Sequence, residues 1–248
     1  DPVRAEPPRR ILLATDLSSR TDRAFDRAVQ LGAQWRAELH VLHAVGAPPP
    51  TVPFGVNPHE YLRGRPDPCA EARATLRRTL LREQVRAQVH VDHGAASRTI
   101  LDATEREGCD LVIMGESRER MIGPFESTLD HVARASRASV LVVRNRPYGT
   151  YRYLLVGTDF TDESRQALHT STRWFPDASI AFVHAYSMPY SGLLPRESAE
   201  WGEEQLARLR THLDEVDLPP ERRSTIRIRA DAGPPAVATD LPMKAMNI

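Results

Sequence analysis

One short phrase occurs twice in this chain, and its repetition at long range constrains the fold more than any other feature. Residues 11–18 read Ile-Leu-Leu-Ala-Thr-Asp-Leu-Ser, and residues 154–161 read Leu-Leu-Val-Gly-Thr-Asp-Phe-Thr. Each is followed by a stretch of helix length and then by a second apolar run. That run reads Leu-His-Val-Leu-His-Ala-Val over residues 39–45 and Ile-Ala-Phe-Val-His-Ala-Tyr over residues 180–186. A period of about 140 residues is too long for a solenoid unit and fits a duplicated domain. With 248 residues, 41% of them hydrophobic, the chain can fill two ordinary cores.

Within the first copy, apolar runs of strand length alternate with amphipathic stretches of helix length, the pattern of a parallel sheet covered by helices. Strands are expected at Ile11 to Thr15, Leu39 to Val45, Val89 to His93, Leu111 to Gly115 and Val140 to Val143. They are nearly continuous in Val, Ile and Leu, as strands buried on both faces are. Ala24, Phe25, Ala28, Val29 and Leu31 share one helix face, and Phe125, Leu129, Val132 and Ala133 another. Five strands and four helices are expected to end near Arg144, after a flexible lead-in over residues 1–9. Residues 145–151 read as a linker. The second copy is expected to repeat the first strand at Tyr153 to Thr158, a helix at Thr161 to Phe175 and a strand at Ile180 to Tyr186. A helix with Leu206, Leu209, Leu213 and Val216 on one face and a strand at Thr225 to Ala230 follow. After Gly233, Pro234, Pro235 and Pro242 interrupt the pattern, so the copy reads as truncated, without its fourth and fifth strands.

Charge and cysteine content exclude several functions. Lys+Arg and Asp+Glu balance at 33 each, so no global field draws the chain to nucleic acid or to an acidic membrane. Arg77, Arg78, Arg82 and Arg86 cluster beside Leu76, Leu80, Leu81 and Val85, which reads as a solvated helix face. The two cysteines, Cys69 and Cys109, form no CxxC pair, so neither a disulfide framework nor a zinc site is expected, and a cytoplasmic location suits them. No run approaches the ~18 apolar residues of a membrane span.

In an open parallel sheet, ligands bind beyond the carboxyl ends of the strands, where the strand order reverses. Thr15-Asp16, His43-Ala44 and Met114-Gly115-Glu116 stand at such ends. Residues 117–128 then lead into a helix whose amides suit an anion. Asp16 reads equally well as a group that satisfies the amides of the following helix. His43 and His184 read as satisfied core residues, Ser127 and Thr128 as helix caps, and Trp35 and Trp174 as packing residues.

At these positions the chain resembles the universal stress protein family, UspA-like, in its tandem two-domain form. The resemblance rests on Thr-Asp-Leu-Ser after the first strand, Leu-His-Ala in the second, Gly94 after the third, Asp110-Leu-Val-Ile-Met-Gly115, and Ala138-Ser-Val-Leu-Val-Val-Arg144. It implies two adenine nucleotide alpha hydrolase-like (Rossmann-like) α/β domains with a sheet of order 3-2-1-4-5 and helices on both faces. It also implies a non-catalytic stress-response module, ATP or ADP with Mg as ligand, an unidentified protein partner, and an internal pseudo-dimer or homodimer. The residues it assigns to the nucleotide are Asp16, Ala44, Met114, Gly115, Arg118, Ser127 and Thr128.

The ATP-binding members carry a GxxG, nine-residue, Gly-Ser/Thr loop, because glycines let backbone amides reach the phosphates. Here Gly115 keeps the first position, Arg118 and Glu126 replace the other two glycines, and the loop is shorter by about two residues. Glu116, Glu119 and Glu126 would repel a polyphosphate, while Arg118 and Arg120 would attract it. The second copy keeps Thr158-Asp159 and His184-Ala185 but has no such loop. A nucleotide-free interaction scaffold of the same fold is the alternative function. An adenylating or ATP-hydrolysing enzyme is disfavoured, since Thr15-Asp-Leu-Ser-Ser19 lacks the glycines of an SGGxDS-like pyrophosphate loop. Without fourth and fifth strands, Leu154 to Thr158 would form an open apolar edge that invites a partner chain.

Overall fold

The structure, a computed structural model, describes residues 6–19, 21–46, 67–116, 127–187 and 195–233. The chain forms two compact units, Pro8–Thr150 and Tyr151–Ile248, the latter including Asp1–Pro7.

The first unit runs β1 (Arg10–Ala14), α1 (Asp22–Trp35), β2 (Glu38–Val45), α2 (Pro68–Arg82), β3 (Gln88–His93), α3 (Ala96–Glu107), β4 (Leu111–Gly115), α4 (Thr128–Ala135) and β5 (Ser139–Val143). All five strands are parallel, in the order β3-β2-β1-β4-β5. This is the expected sheet, and its two central strands explain the unbroken apolar runs: Ile11, Leu12, Leu13, Val112 and Ile113 are fully buried. Leu12, Ala14, Leu42, Val112 and Met114 line one face and pack with Ile100 and Ala103 of α3 and Val132 of α4. Helices α1 and α2 also lie on the sheet, α1 along β1, β2 and β4 and α2 along β2 and β3.

Helix ends follow from local chemistry. Asp67 caps α2 by accepting the Cys69 N–H at 3.0 Å, with Pro68 in the first turn where its missing donor costs nothing. Gly108 ends α3 in the left-handed region at φ 61°, and the next amide, Cys109, returns to the Thr104 carbonyl at 2.9 Å. One expected apolar-face position is corrected, at Ala133. On α2, Leu81 is 78% exposed, because the face that meets the sheet carries Ala72, Leu76 and Leu80. Ala133 is exposed, and Val132 is the buried residue of α4. The arginines Arg77, Arg78 and Arg82 stand exposed on α2, as a solvated face requires.

The second unit runs β6 (Tyr153–Gly157), α5 (Asp162–Trp174), β7 (Ser179–Tyr186), α6 (Pro195–Asp214), α7 (Pro220–Ser224) and β8 (Arg227–Ala232). Its three described strands are parallel in the order β6-β7-β8. Phe182, Leu168 and Leu209 are fully buried at its centre, with Ile180, Leu213 and Val216 around them. The short helix α7 is absent from the sequence expectation. It occupies the residues just before the last strand, so β8 begins at Arg227 rather than Thr225, whose hydroxyl instead donates to the Arg222 carbonyl at 2.7 Å. Trp174 is half-buried, and its indole N–H donates to the Glu6 carbonyl at 2.9 Å. Among the described residues, no helix is long and apolar enough to cross a membrane.

Candidate functional site

The strand order of the first unit reverses between β1 and β4, so the chemistry of the site begins at the carboxyl ends of those strands. The chain leaves β1 through a tight turn held by its own side chains. Thr15 Oγ1 accepts the Leu17 N–H at 3.0 Å, and Asp16 Oδ1 accepts the Ser18 N–H at 2.9 Å and the Thr21 hydroxyl at 3.2 Å. Leu17 is forced to φ 61°, a conformation costly for a residue with a branched side chain and one that recurs at functional turns. From β2, His43 Nδ1 donates to the Thr15 carbonyl at 2.8 Å.

The second unit repeats this device, with one change in the hydroxyl that reaches the aspartate. Thr158 Oγ1 accepts the Phe160 N–H at 2.9 Å, Phe160 lies at φ 67°, and His184 Nδ1 donates to the Thr158 carbonyl at 2.8 Å. Asp159 Oδ1 accepts the Thr161 N–H and hydroxyl at 3.2 and 2.6 Å. The glycine after each third strand is repeated as well. Gly94 (φ 145°) donates to the Val45 carbonyl at 3.0 Å, and Gly233 (φ 140°) to the Tyr186 carbonyl at 2.8 Å. The doubled Thr-Asp and His-Ala motifs are thus one repeated hydrogen-bonded corner.

Burial would raise the Asp16 carboxyl, but hydrogen bonds from Ser18 and Thr21 outweigh it and hold the pKa below the usual carboxylate value. The Thr161 hydroxyl and amide do the same for Asp159. A carboxylate with a lowered folded pKa stabilises the fold above its unfolded pKa, and that contribution disappears as pH falls through the folded value. Asp16→Ala is therefore expected to lower the thermal stability of the ligand-free protein at neutral pH. The deficit should shrink in thermal scans taken below the ordinary Asp range of about 3.9.

The remaining predicted residues divide. Ala44 is half-buried at the end of β2, Met114 is buried and Gly115 half-buried at the end of β4, on the two strands that flank β1. Beyond Gly115, the Glu116 carboxylate accepts from Arg144 at 2.6 Å, an ion pair at the surface where such pairs contribute little. Ser127 is the N-cap of α4: its Oγ accepts the Asp130 N–H at 3.1 Å and donates to the Asp130 carboxylate at 2.7 Å. Thr128 is exposed in the first turn of the same helix. Arg118 lies outside the described residues, as do Glu119, Arg120 and Glu126.

Sequence reasoning missed a Ser–His pair that the fold creates in the second unit. Ser164 Oγ lies 3.3 Å from His212 Nε2, and His212 Nδ1 lies 3.9 Å from Glu215. The resemblance to a hydrolytic triad stops at the protons. Ser164 donates to the Thr161 carbonyl at 2.8 Å, so His212 Nε2 must be the donor to Ser164 and is not a base for it. Both side chains are buried, and burial lowers the His212 pKa. The pair braces the corner of β6 through the Thr158 hydroxyl, 2.7 Å from Ser164 Oγ.

Solved structures share this architecture. A universal stress protein from Archaeoglobus fulgidus is similar over 99% of this chain and 84% of its own, at 16% identity and TM-score 0.65. A putative universal stress protein from Pseudomonas aeruginosa covers 96% of this chain and 80% of its own, at 18% identity and TM-score 0.57. A universal stress protein in complex with cAMP covers 56% of this chain and 98% of its own, at 20% identity and TM-score 0.43. No curated protein matches the chain at a significant level. The model of the universal stress protein family matches residues 8–144, more than half of the chain and almost the whole first unit. With the sheet order and the strand-end motifs in place, the chain belongs to the universal stress protein family.

Proposed function

We propose that this chain is a non-catalytic regulatory module of the stress response, built from two copies of one fold, with a degenerate ATP or ADP site in the first copy. The observation that carries the reading is the self-satisfied corner at the carboxyl end of β1. Asp16 Oδ1, the Thr21 hydroxyl and His43 Nδ1 are committed to the turn itself, which makes it a shaped structural surface beside the switch point. The chain's own residues would contact a nucleotide in two regions: Asp16 and Ala44 at the base and ribose, and Met114, Gly115, Ser127 and Thr128 nearer the phosphates. Bound Mg would supply charge neutralisation to those phosphates. To receive them, Ser127 must exchange its bonds to Asp130, whose carboxylate is itself repulsive to an anion. Weak binding follows.

Calorimetry and thermal unfolding with MgATP and MgADP test this. The expected result is a small, saturable stabilisation with no phosphate release above background. Turnover of ATP would overturn the non-catalytic reading. A complete lack of stabilisation at millimolar MgATP would leave the nucleotide-free scaffold, the reading favoured by the internal Ser127–Asp130 pairing. Asp16→Ala, with its stability deficit already present without ligand, should also abolish the ligand-induced shift.

A further inference from the structure

At the opposite end of the first sheet, three side chains from three elements converge. His40 stands third in β2 opposite Gln88, His90 stands two residues beyond Gln88 in β3, and Glu107 is the last residue of α3. His40 Nδ1 and His90 Nε2 face each other at 3.1 Å. Glu107 Oε2 lies 3.9 Å from His40 Nδ1, and Glu107 Oε1 lies 3.7 Å from His90 Nδ1. His40 is only 2% exposed, and its second nitrogen, Nε2, has no hydrogen-bond partner. The nearest carboxylate oxygen, on Glu38, is 3.8 Å away.

The protons do not balance in this arrangement. Two neutral imidazoles carry two N–H groups among four nitrogens. If His40 donates to His90, the His90 proton sits on Nδ1 and His40 Nε2 is left as a buried lone pair turned toward Glu38. If His90 donates instead, its Nδ1 lone pair is turned toward Glu107. Either tautomer sets a bare nitrogen against a carboxylate, and on His40 that nitrogen is buried, where the repulsion is costly.

We propose that His40 Nδ1, His90 Nε2 and Glu107 Oε2 form a site for a divalent transition-metal ion of the zinc class. The metal takes the place of the shared proton. Both imidazoles then remain neutral, each coordinates through one nitrogen, and each keeps an N–H on the other. His40 Nε2–H is then directed at Glu38, the carboxylate–histidine–metal arrangement that orients a ligating imidazole, and His90 Nδ1–H lies on the half-buried side of its ring. No nitrogen lone pair is then turned toward a carboxylate. Two nitrogens on a tetrahedral zinc at about 2.0–2.1 Å stand about 3.3 Å apart, so the ring pair needs to open by only a few tenths of an ångström. Two histidines and one glutamate leave a fourth position for water.

The support around the ligands is in place. Glu38 accepts from Gln88 Nε2 and lies 3.5 Å from Arg10. Arg106 donates to Glu107 Oε1 at 2.9 Å, leaving Oε2 for the metal, and lowers the Glu107 pKa so that the carboxylate is ionised. Burial lowers the His40 pKa against the pull of Glu38, which favours the neutral, coordinating imidazole. The left-handed turn at Gly108 stops α3 at Glu107, and a side chain there would press on Arg10 Nη1, 3.1 Å from the Cβ position.

A second group, Asp67, Cys69 and His93, also brings three potential ligands together in the first unit, with Cys69 Sγ 3.1 Å from His93 Nε2, and has to be kept apart from the first. The test therefore uses the whole chain with zinc alone and cobalt alone, in the wild type and in Cys69→Ser, Glu107→Gln, His90→Gln and Glu38→Gln. Circular dichroism without metal establishes that each variant is folded. The expected result is one zinc per chain retained in Cys69→Ser. Affinity should fall about 10–100-fold in Glu38→Gln and at least as far in Glu107→Gln and His90→Gln. In Cys69→Ser, cobalt should give tetrahedral visible bands with no thiolate charge-transfer band. Zinc binding that persists in folded Glu107→Gln and His90→Gln, that vanishes in Cys69→Ser, or that is absent from the wild type would overturn the proposal.

Discussion

Replacing Phe182 by alanine is expected to remove about 3–5 kcal/mol of stability from the second unit. Phe182 sits in the middle of β7, the central strand of the three described there, and has no solvent exposure. Its ring touches the two helices that cover the sheet through Leu168 of α5 and Leu209 of α6, both fully buried. It also lies parallel to the His212 ring, with centroids 6.0 Å apart. Truncation therefore opens a cavity between the sheet and both helices and loosens the ring that braces the β6 corner through Ser164. Neither β7 nor the helices can close the gap without breaking strand pairing on two sides. Hydrogen exchange read at the amides of β6, β7 and β8 is the appropriate measurement, because it reports this unit by itself. A loss of this size corresponds to roughly two to nearly four orders of magnitude in protection. Ile180→Val, a deletion of one methyl in the same strand, should cost about 0.5–1.5 kcal/mol. Equal, small effects from the two substitutions would mean that β7 is not the centre of that core.

The contrast between Phe182 and His40 shows what a sequence does and does not expose. Strand positions declare themselves because β-branched and leucine runs of five to eight residues have few other uses, so β1, β2, β4 and β7 are readable within one residue. The doubled Thr-Asp and His-Ala motifs are readable too, but only as letters. That His43 and His184 turn back to hold the carbonyls of Thr15 and Thr158 depends on strand adjacency and rotamer, which no local pattern encodes. Ser127 was legible as both a cap and a phosphate ligand, and its bonds to Asp130 give it the first of these. The pairing of His40 with His90 spans 50 residues and follows from the parallel register of β2 and β3. Cysteine spacing pointed away from metal, since it samples only neighbours in sequence. Helix α7 was missed because its five residues, Pro-Glu-Arg-Arg-Ser, carry no apolar periodicity, and Pro220 in the first turn is the one local sign of a helix start.

A second large effect is expected in the reactivity of the two cysteines. Cys109 follows Gly108 at the turn between α3 and β4 and is 8% exposed, packed with Leu12, Ala103 and Val112. Access alone protects it. Burial, reinforced by the carboxylates of Glu107 and Asp110, also pushes its thiol up to about 12. A thiol at that value carries on the order of a thousandfold less thiolate at mildly alkaline pH than one at 9, and only the thiolate reacts. Cys69 is half-buried in the first turn of α2 beside His93, within reach of solvent. Its thiol is also raised, through desolvation and Asp67, so it should label slowly for an exposed cysteine but far ahead of Cys109. Alkylation of the native chain followed by mass spectrometry should give one rapid modification, at Cys69. The second modification should appear only as the first unit opens, at a rate that rises with denaturant in step with loss of structure. Comparable labelling of both cysteines in the native protein would show that the turn after α3 is open to solvent, and with it the floor on which Glu107 rests.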